Sequence, residues 1–132
     1  LLGERHNRIV TTLAKERRAV AARWGVRNLP STDEWLDRFA GTMAGTMVRP
    51  VPQPNQADNL IRCATMGSLV PLQSAAQLAD LPVPATSAMI ELAHQSIGGD
   101  LLHAGRRLDN MGFVNTDLDS IRTQLDAMTV AT

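Results

Sequence analysis

The sequence predicts an all-α protein, a single multi-helix domain over residues 1–132, and three observations carry that prediction. Apolar residues recur every three or four positions through most of the chain, which places them on one face of a helix. No segment sustains the period-two alternation of a half-buried strand. Trp24, Trp35, Phe39 and Phe113 are the only aromatics and Tyr is absent, so the core is aliphatic and rich in Ala and Met. That suits helix packing better than a β-sandwich, which favours aromatic and β-branched side chains.

The first helix runs from about Glu4 to Trp24, with Ile9, Leu13, Val20 and Trp24 near the helical period and Arg5, Arg8, Lys15, Arg18 and Arg23 mostly opposite. Gly25 closes it, where a left-handed residue costs least. Ser31-Thr32-Asp33-Glu34 after Pro30 is a capping box that starts a second helix through Trp35, Leu36, Phe39, Met43 and Met47, weakened by Gly41 and Gly45. Prolines at alternate positions force Arg49 to Asn55 into extended backbone. A short helix follows from Asp58 to Thr65, with a break at Gly67. Pro71 suits the first turn of the next helix, which reaches Asp80.

Leu81-Pro82-Val83-Pro84 ends that helix. Thr86 or a neighbour starts an apolar one carrying Met89, Leu92, Ala93 and Ile97, stopped by Gly98-Gly99. Asp100 caps a short helix through Leu108, and Asn110-Met111-Gly112 turns the chain. Asn115 or Thr116 caps a last amphipathic helix with Leu118, Ile121, Leu125 and Met128.

With 44% hydrophobic and 20% charged residues, the chain has the balance of a folded domain with a real core. Its formal net charge of zero argues against nucleic acid as a partner, since backbone binding needs surplus Lys and Arg on one face. No apolar stretch approaches the ~20 residues that span a bilayer. Cys63 is the one cysteine, so an internal disulfide and a cysteine-rich metal site are both excluded, and a cytoplasmic setting is expected. The chain opens on Leu1-Leu2-Gly3, already entering a helical pattern, and reads as part of something longer.

Candidate chemistry is sparse. Gly98-Gly99 follows a helix, whereas a nucleotide-binding loop precedes one, so the pair reads as a helix stop. His6, His94 and His103 lack the spacing of a local metal motif. His94 lies one residue beyond the Leu92/Ala93 stripe, as either a part-buried hydrogen-bonded histidine or a site residue. Nothing near Cys63 lowers its thiol pKa, and a buried structural thiol is expected. Glu16-Arg17-Arg18 and Arg106-Arg107 read as solvated charges, with the alternative that Arg106 or Arg107, in a short helix between Gly105 and Gly112, bonds neighbouring helix ends or an anionic group. The six methionines are spread at core-like spacing and read as packing.

Several stretches resemble one family. Glu16-Arg17-Arg18-Ala19-Val20-Ala21 through Gly25-Val26 resembles the "ER-x-A-x-A … LG" helix of the octopine/nopaline (opine) dehydrogenases, and Ser31 to Leu36 its Ser-x-x-Glu-Trp-Leu helix start. Leu69-Val70-Pro71, Leu81-Pro82-Val83-Pro84 and Met89-Ile90 resemble its "LVP … VPTP … LI" run. Gly105-Arg106-Arg107-Leu108 with Met111-Gly112 resembles its closing "GR-T-L … LG". In order and spacing these fragments cover most of the chain.

The resemblance implies the helical C-terminal domain of such an enzyme, of the 6-phosphogluconate dehydrogenase C-terminal-like type, serving substrate binding and homodimerisation. It implies an N-terminal Rossmann domain before Leu1 that carries NAD(P), so this chain alone binds no cofactor and is not expected to be catalytic. Family members reductively join an amino acid to a 2-keto acid between the two domains, which makes an amino-acid or keto-acid small molecule the expected ligand. Arg62 stands where the family's "R-Y-x-T-E-D" stretch has its carboxylate-binding Arg, with Thr65 three residues on. Arg62, Thr65, His94 and Arg106 are the substrate-binding residues this reading selects. Met66 and Gly67 stand in place of the family's Glu and Asp, so the carboxylate that orients the catalytic His is missing. That His would lie upstream of Leu1 and is not assigned to His6. The expectation is dehydrogenase ancestry without standard opine chemistry, and the alternative is a stand-alone helical dimerisation module.

Overall fold

The computed structural model describes residues 4–34, 38, 54–113 and 117–130, and side chains within 8–34, 38, 56–113 and 117–128. Among the described residues every regular element is a helix or helical turn and there is no strand, so the protein is all-α. The elements are α1 (Glu4–Arg23), α2 (Pro54–Ala64), a π-helical segment (Thr65–Leu69), α3 (Val70–Leu78), α4 (Pro84–Ile97), α5 (Leu101–Ala104), a 3-10 turn (Leu108–Asn110) and α6 (Leu118–Val130). No helix among the described residues is long and apolar enough to cross a membrane. The helix expected after the capping box and the proline-rich stretch up to Gln53 fall largely outside the described residues.

α1 ends as its glycine requires. Gly25 takes φ +89°, its amide bonds to Ala22 O at 3.1 Å, and the Val26 amide reaches Ala21 O at 2.8 Å. These paired bonds satisfy carbonyls that the helix end leaves open. The capping box is present in both directions: Ser31 N–H donates to Glu34 Oε2 at 2.7 Å and Glu34 N–H to Ser31 Oγ at 3.1 Å. Val20, Ala76 and Val83 form a buried cluster against which Trp24, Leu72, Ala75 and Leu81 pack. Trp24 Nε1 donates to Ala75 O at 3.0 Å, so the indole spends its polar edge pinning α1 to α3.

The break expected at Gly67 is not a break. α2, the π segment and α3 follow without interruption, and the junction residues Ala64, Leu69 and Val70 keep right-handed helical backbone. The cause is Pro71. Inside a helix its ring collides with the carbonyl four residues back, which is that of Gly67, and it has no N–H to donate. Widening this turn, with Val70 N–H donating to Thr65 O, relieves the collision while the helix goes on. The carbonyl of Met66 accepts instead from Arg106 N–H at 3.1 Å, a partner forty residues away. α2 also starts earlier than expected, because Pro54 needs no amide partner in a first turn.

α3 closes through Asp80 at φ +53°, with Leu81 N–H on Ala76 O at 2.9 Å and Asp80 N–H on Gln77 O at 3.2 Å. This is the closure seen at Gly25, with an aspartate in the glycine's place. α4 then begins at Pro84, and its N-cap Val83 has no side chain able to cap. The cap comes from α1. Glu16 accepts Ala85 N–H on Oε1 at 2.8 Å, and Thr86 N–H and Thr86 Oγ1–H on Oε2 at 2.8 and 2.7 Å. Glu16 is therefore not a solvated charge.

The last third is shorter-jointed than expected. Asp100 caps a helix that stops at Ala104, not Leu108. Gly105 is buried and extended, and a Cβ there would lie 2.7 Å from Val70 Cγ1 and 2.9 Å from Leu101 O, so this turn packs on α3 only without a side chain. Leu108 N–H donates to Ser74 Oγ at 3.0 Å, fixing the 3-10 turn on α3. The cap of α6 is Asp117, whose Oδ1 accepts Ser120 N–H at 2.9 Å; Asn115 and Thr116 lie outside the described residues. Ile121 is fully buried, and Arg122 lies over Gly25.

Candidate functional site

α4 stops because Gly98 and Gly99 both turn left-handed, at φ +68° and +86°. That turn folds α5 back beside the end of α4, and the two helices share a polar cleft of about 380 Å³. Gln73, Ser87, Glu91, His94, Asp100 and His103 supply its polar wall, and Ile90 and Leu102 its apolar one.

Each histidine is held through Nδ1. The Nδ1 of His94 lies 2.5 Å from Gly99 O, and that of His103 lies 2.8 and 2.7 Å from the two oxygens of Asp100. Asp100 also accepts His103 N–H at 3.0 Å. The amide bond, followed by the ring bond, holds the Asp100 carboxyl below its ordinary pKa against the opposing cost of desolvation, with His94 adding a weaker attraction. Gln73 donates to Ser87 Oγ at 2.8 Å, and Gln95 to Glu91 Oε1 at 2.8 Å. Both histidines are exposed.

The structure brings the four selected residues only partly together. His94 lines the cleft. Arg62 borders the turn: a Cβ on Gly99 would sit 3.2 Å from its Nη1. Thr65 is 2% exposed and lies inside the π segment. The Arg106 side chain is exposed, and its backbone, not its guanidinium, makes the bond to Met66. Gly67 is exposed, with nothing within 4 Å of where a Cβ would be. Cys63 is an exposed free thiol, contrary to the buried one expected, because the helical face that carries it is left uncovered.

Asp100 as the partner of His103 was not foreseen. The signal was there, an Asp and a His three residues apart, but it doubles as an ordinary cap. The pairing of His94 with His103 across two glycines had no periodic signal. Among the described residues, no group of three or more His, Cys, Asp or Glu side chains could hold a metal ion.

A second cavity of about 410 Å³ lies between α1, the π segment and α3, lined by Val10, Leu13, Ala14, Leu69 and Leu72, with Arg17, Ser68 and Thr32, whose buried Oγ1 has no hydrogen-bond partner, at its wall. It is larger and mainly apolar, with one cation and no carboxylate or imidazole, so the cleft that holds both histidines is the stronger candidate for chemistry. No protein-family model, no curated protein and no solved structure matches the chain. The functional reading therefore rests on the residues themselves.

Proposed function

We propose that this chain is the helical substrate-binding domain of an NAD(P)-dependent oxidoreductase of the opine dehydrogenase kind, with the 6-phosphogluconate dehydrogenase C-terminal-like arrangement, acting beside a separate nucleotide-binding domain. The observation that carries this reading is where the family-like fragments meet. Glu16, from the first fragment, caps the helix that begins at Pro84 of Leu81-Pro82-Val83-Pro84 through a bond to Thr86, seventy residues on. Gly105, from the closing fragment, packs on Val70 of Leu69-Val70-Pro71. Contacts between residues of different fragments, in the order the family has them, support this reading.

On this reading Arg62, beside the Gly98-Gly99 turn, holds a substrate carboxylate, and the adjoining cleft takes another polar part of an amino-acid or keto-acid substrate. Gly67 supplies no carboxylate to orient a catalytic imidazole, so the scaffold is kept while the standard opine reaction is not.

The test is made on the polypeptide with whatever precedes Leu1 in its gene. NADPH is expected to raise its melting temperature, because a ligand that binds only the native state stabilises it. Arg62→Ala is expected to weaken binding of a 2-keto acid without lowering the NADPH effect. A gene with no Gly-x-Gly-x-x-Gly loop upstream, together with no response to NADPH, would sink the proposal.

One observation favours the second reading, a dimerising helical module without catalysis. Ile9, Leu60, Leu92 and Met128 are each more than half exposed, at 52, 60, 59 and 67%. A dimer by sedimentation that dissociates on Leu92→Lys, with no NADPH effect, is the outcome that reading expects.

A further inference from the structure

We infer that the cleft between α4 and α5 binds an organic ammonium group through the Nε2 atoms of His94 and His103. The argument begins with the partners of the two rings. Gly99 O, on His94 Nδ1, is a carbonyl oxygen and can only accept. Asp100, on His103 Nδ1, already takes the His103 amide proton and is a carboxylate, so it too accepts. In the neutral form of each ring the proton therefore sits on Nδ1. Nε2 is left as a lone-pair acceptor on both.

The rest of the cleft points the same way. Glu91 and Asp100 bring two carboxylates, and no Lys or Arg lines it. Gln73 gives one of its two amide hydrogens to Ser87 Oγ, so the neutral donors left in the cleft are its second amide hydrogen and the Ser87 hydroxyl. A cleft whose charged groups are both carboxylates and whose two imidazole Nε2 atoms accept is matched by a donor-rich cation better than by a carboxylate or phosphate, which the Ser87 hydroxyl and one Gln73 hydrogen alone would have to hold. Ile90 and Leu102 give an alkyl arm an apolar wall. The ligand class is a small primary ammonium compound with a short apolar chain. Where the oxidoreductase reading above holds, this is the amino partner of the reaction, and the assignment to an amino substrate rests on that reading.

The test needs no nucleotide, so its failure and the failure of the oxidoreductase reading are separable. Long-range proton–nitrogen spectra of the imidazoles are recorded at about pH 8, where a free imidazole is neutral and an alkylamine is still charged. Both rings are expected as Nδ1–H tautomers. Propylammonium chloride is expected to move both Nε2 signals in a saturable way, and equal concentrations of sodium propionate or potassium chloride are not. Asp100→Asn keeps a capping oxygen but loses the charge, and is expected to weaken propylammonium about tenfold. His103→Gln, an exposed position, is expected to remove the saturable response of His94. An Nε2–H tautomer at either ring, a response to propionate instead, or no saturable response to the amine each overturns the inference.

Discussion

The two ends of α4 put charged and polar groups to opposite uses. At its N-terminus, Glu16 is consumed by structure: three hydrogen bonds tie it to Ala85 and to Thr86, whose side chain is fully buried. At its C-terminus, His94 and His103 use Nδ1 for bonds to Gly99 O and Asp100, and both rings line a cleft. A carboxylate with three of its about four acceptor sites engaged stabilises the fold and has little left for a ligand. A half-satisfied imidazole contributes little to stability and keeps a free acceptor. Where a group's remaining hydrogen-bonding capacity points decides between scaffold and site.

The largest effect expected on that contrast is Glu16→Ala. It strips two amides and one buried hydroxyl of their acceptor and should destabilise the fold by about 2–3 kcal/mol in urea titration. A loss under roughly 0.5 kcal/mol, the ordinary surface value, would mean that water replaces the cap and that the two ends of α4 do not differ.

Gly105→Ala comes next, at about 2 kcal/mol, because its new methyl meets both Val70 and the Leu101 carbonyl. Alanine scanning of the surrounding loop would locate that cost at Gly105 and not at Arg106.

Acid should act on the N-terminal end. Desolvation pushes the Glu16 pKa up, but the Thr86 hydroxyl and the Ala85 and Thr86 amides together hold it below its ordinary 4.5. A carboxylate with a lowered folded pKa contributes stability that is complete above the unfolded value and lost as pH falls through the folded one. Stability measured from neutral pH down through that window is expected to fall less steeply in Glu16→Gln than in the parent.

Smaller effects test the helix ends themselves. Asp80 holds a left-handed backbone that Gly25 holds without strain, so Asp80→Gly should raise stability by about 0.5–1 kcal/mol. His103→Gln, at the open end, should change stability by less than about 0.5 kcal/mol while altering the cleft. A larger loss there would show that the pair with Asp100 is structural.

What could be read in advance was local. The Ser31–Glu34 box, the closure at Gly25, the cap at Asp100 and the stop at Gly98-Gly99 all have their partners within a few residues. The last cap was misplaced by one or two residues, since Asn115, Thr116 and Asp117 are all good caps and only the fold chooses among them. Periodicity gave the apolar stripes but not what covers them. Val20 and Ile121 are buried, whereas Ile9 and Leu92 on the same kinds of stripe are more than half exposed.

The all-α class, the closures at Gly25 and Gly98-Gly99 and the caps at Ser31 and Asp100 were thus determined by the sequence alone, because helix formation and capping depend on near neighbours. The tertiary structure alone decided three things. It chose Glu16 as the cap of α4, turned the disturbance at Pro71 into a widened turn whose freed carbonyl Arg106 answers, and set His94 and His103 on one cleft. Each depends on groups that meet only after the chain has packed. A one-dimensional pattern shows that a polar group needs a partner, and only packing supplies which one.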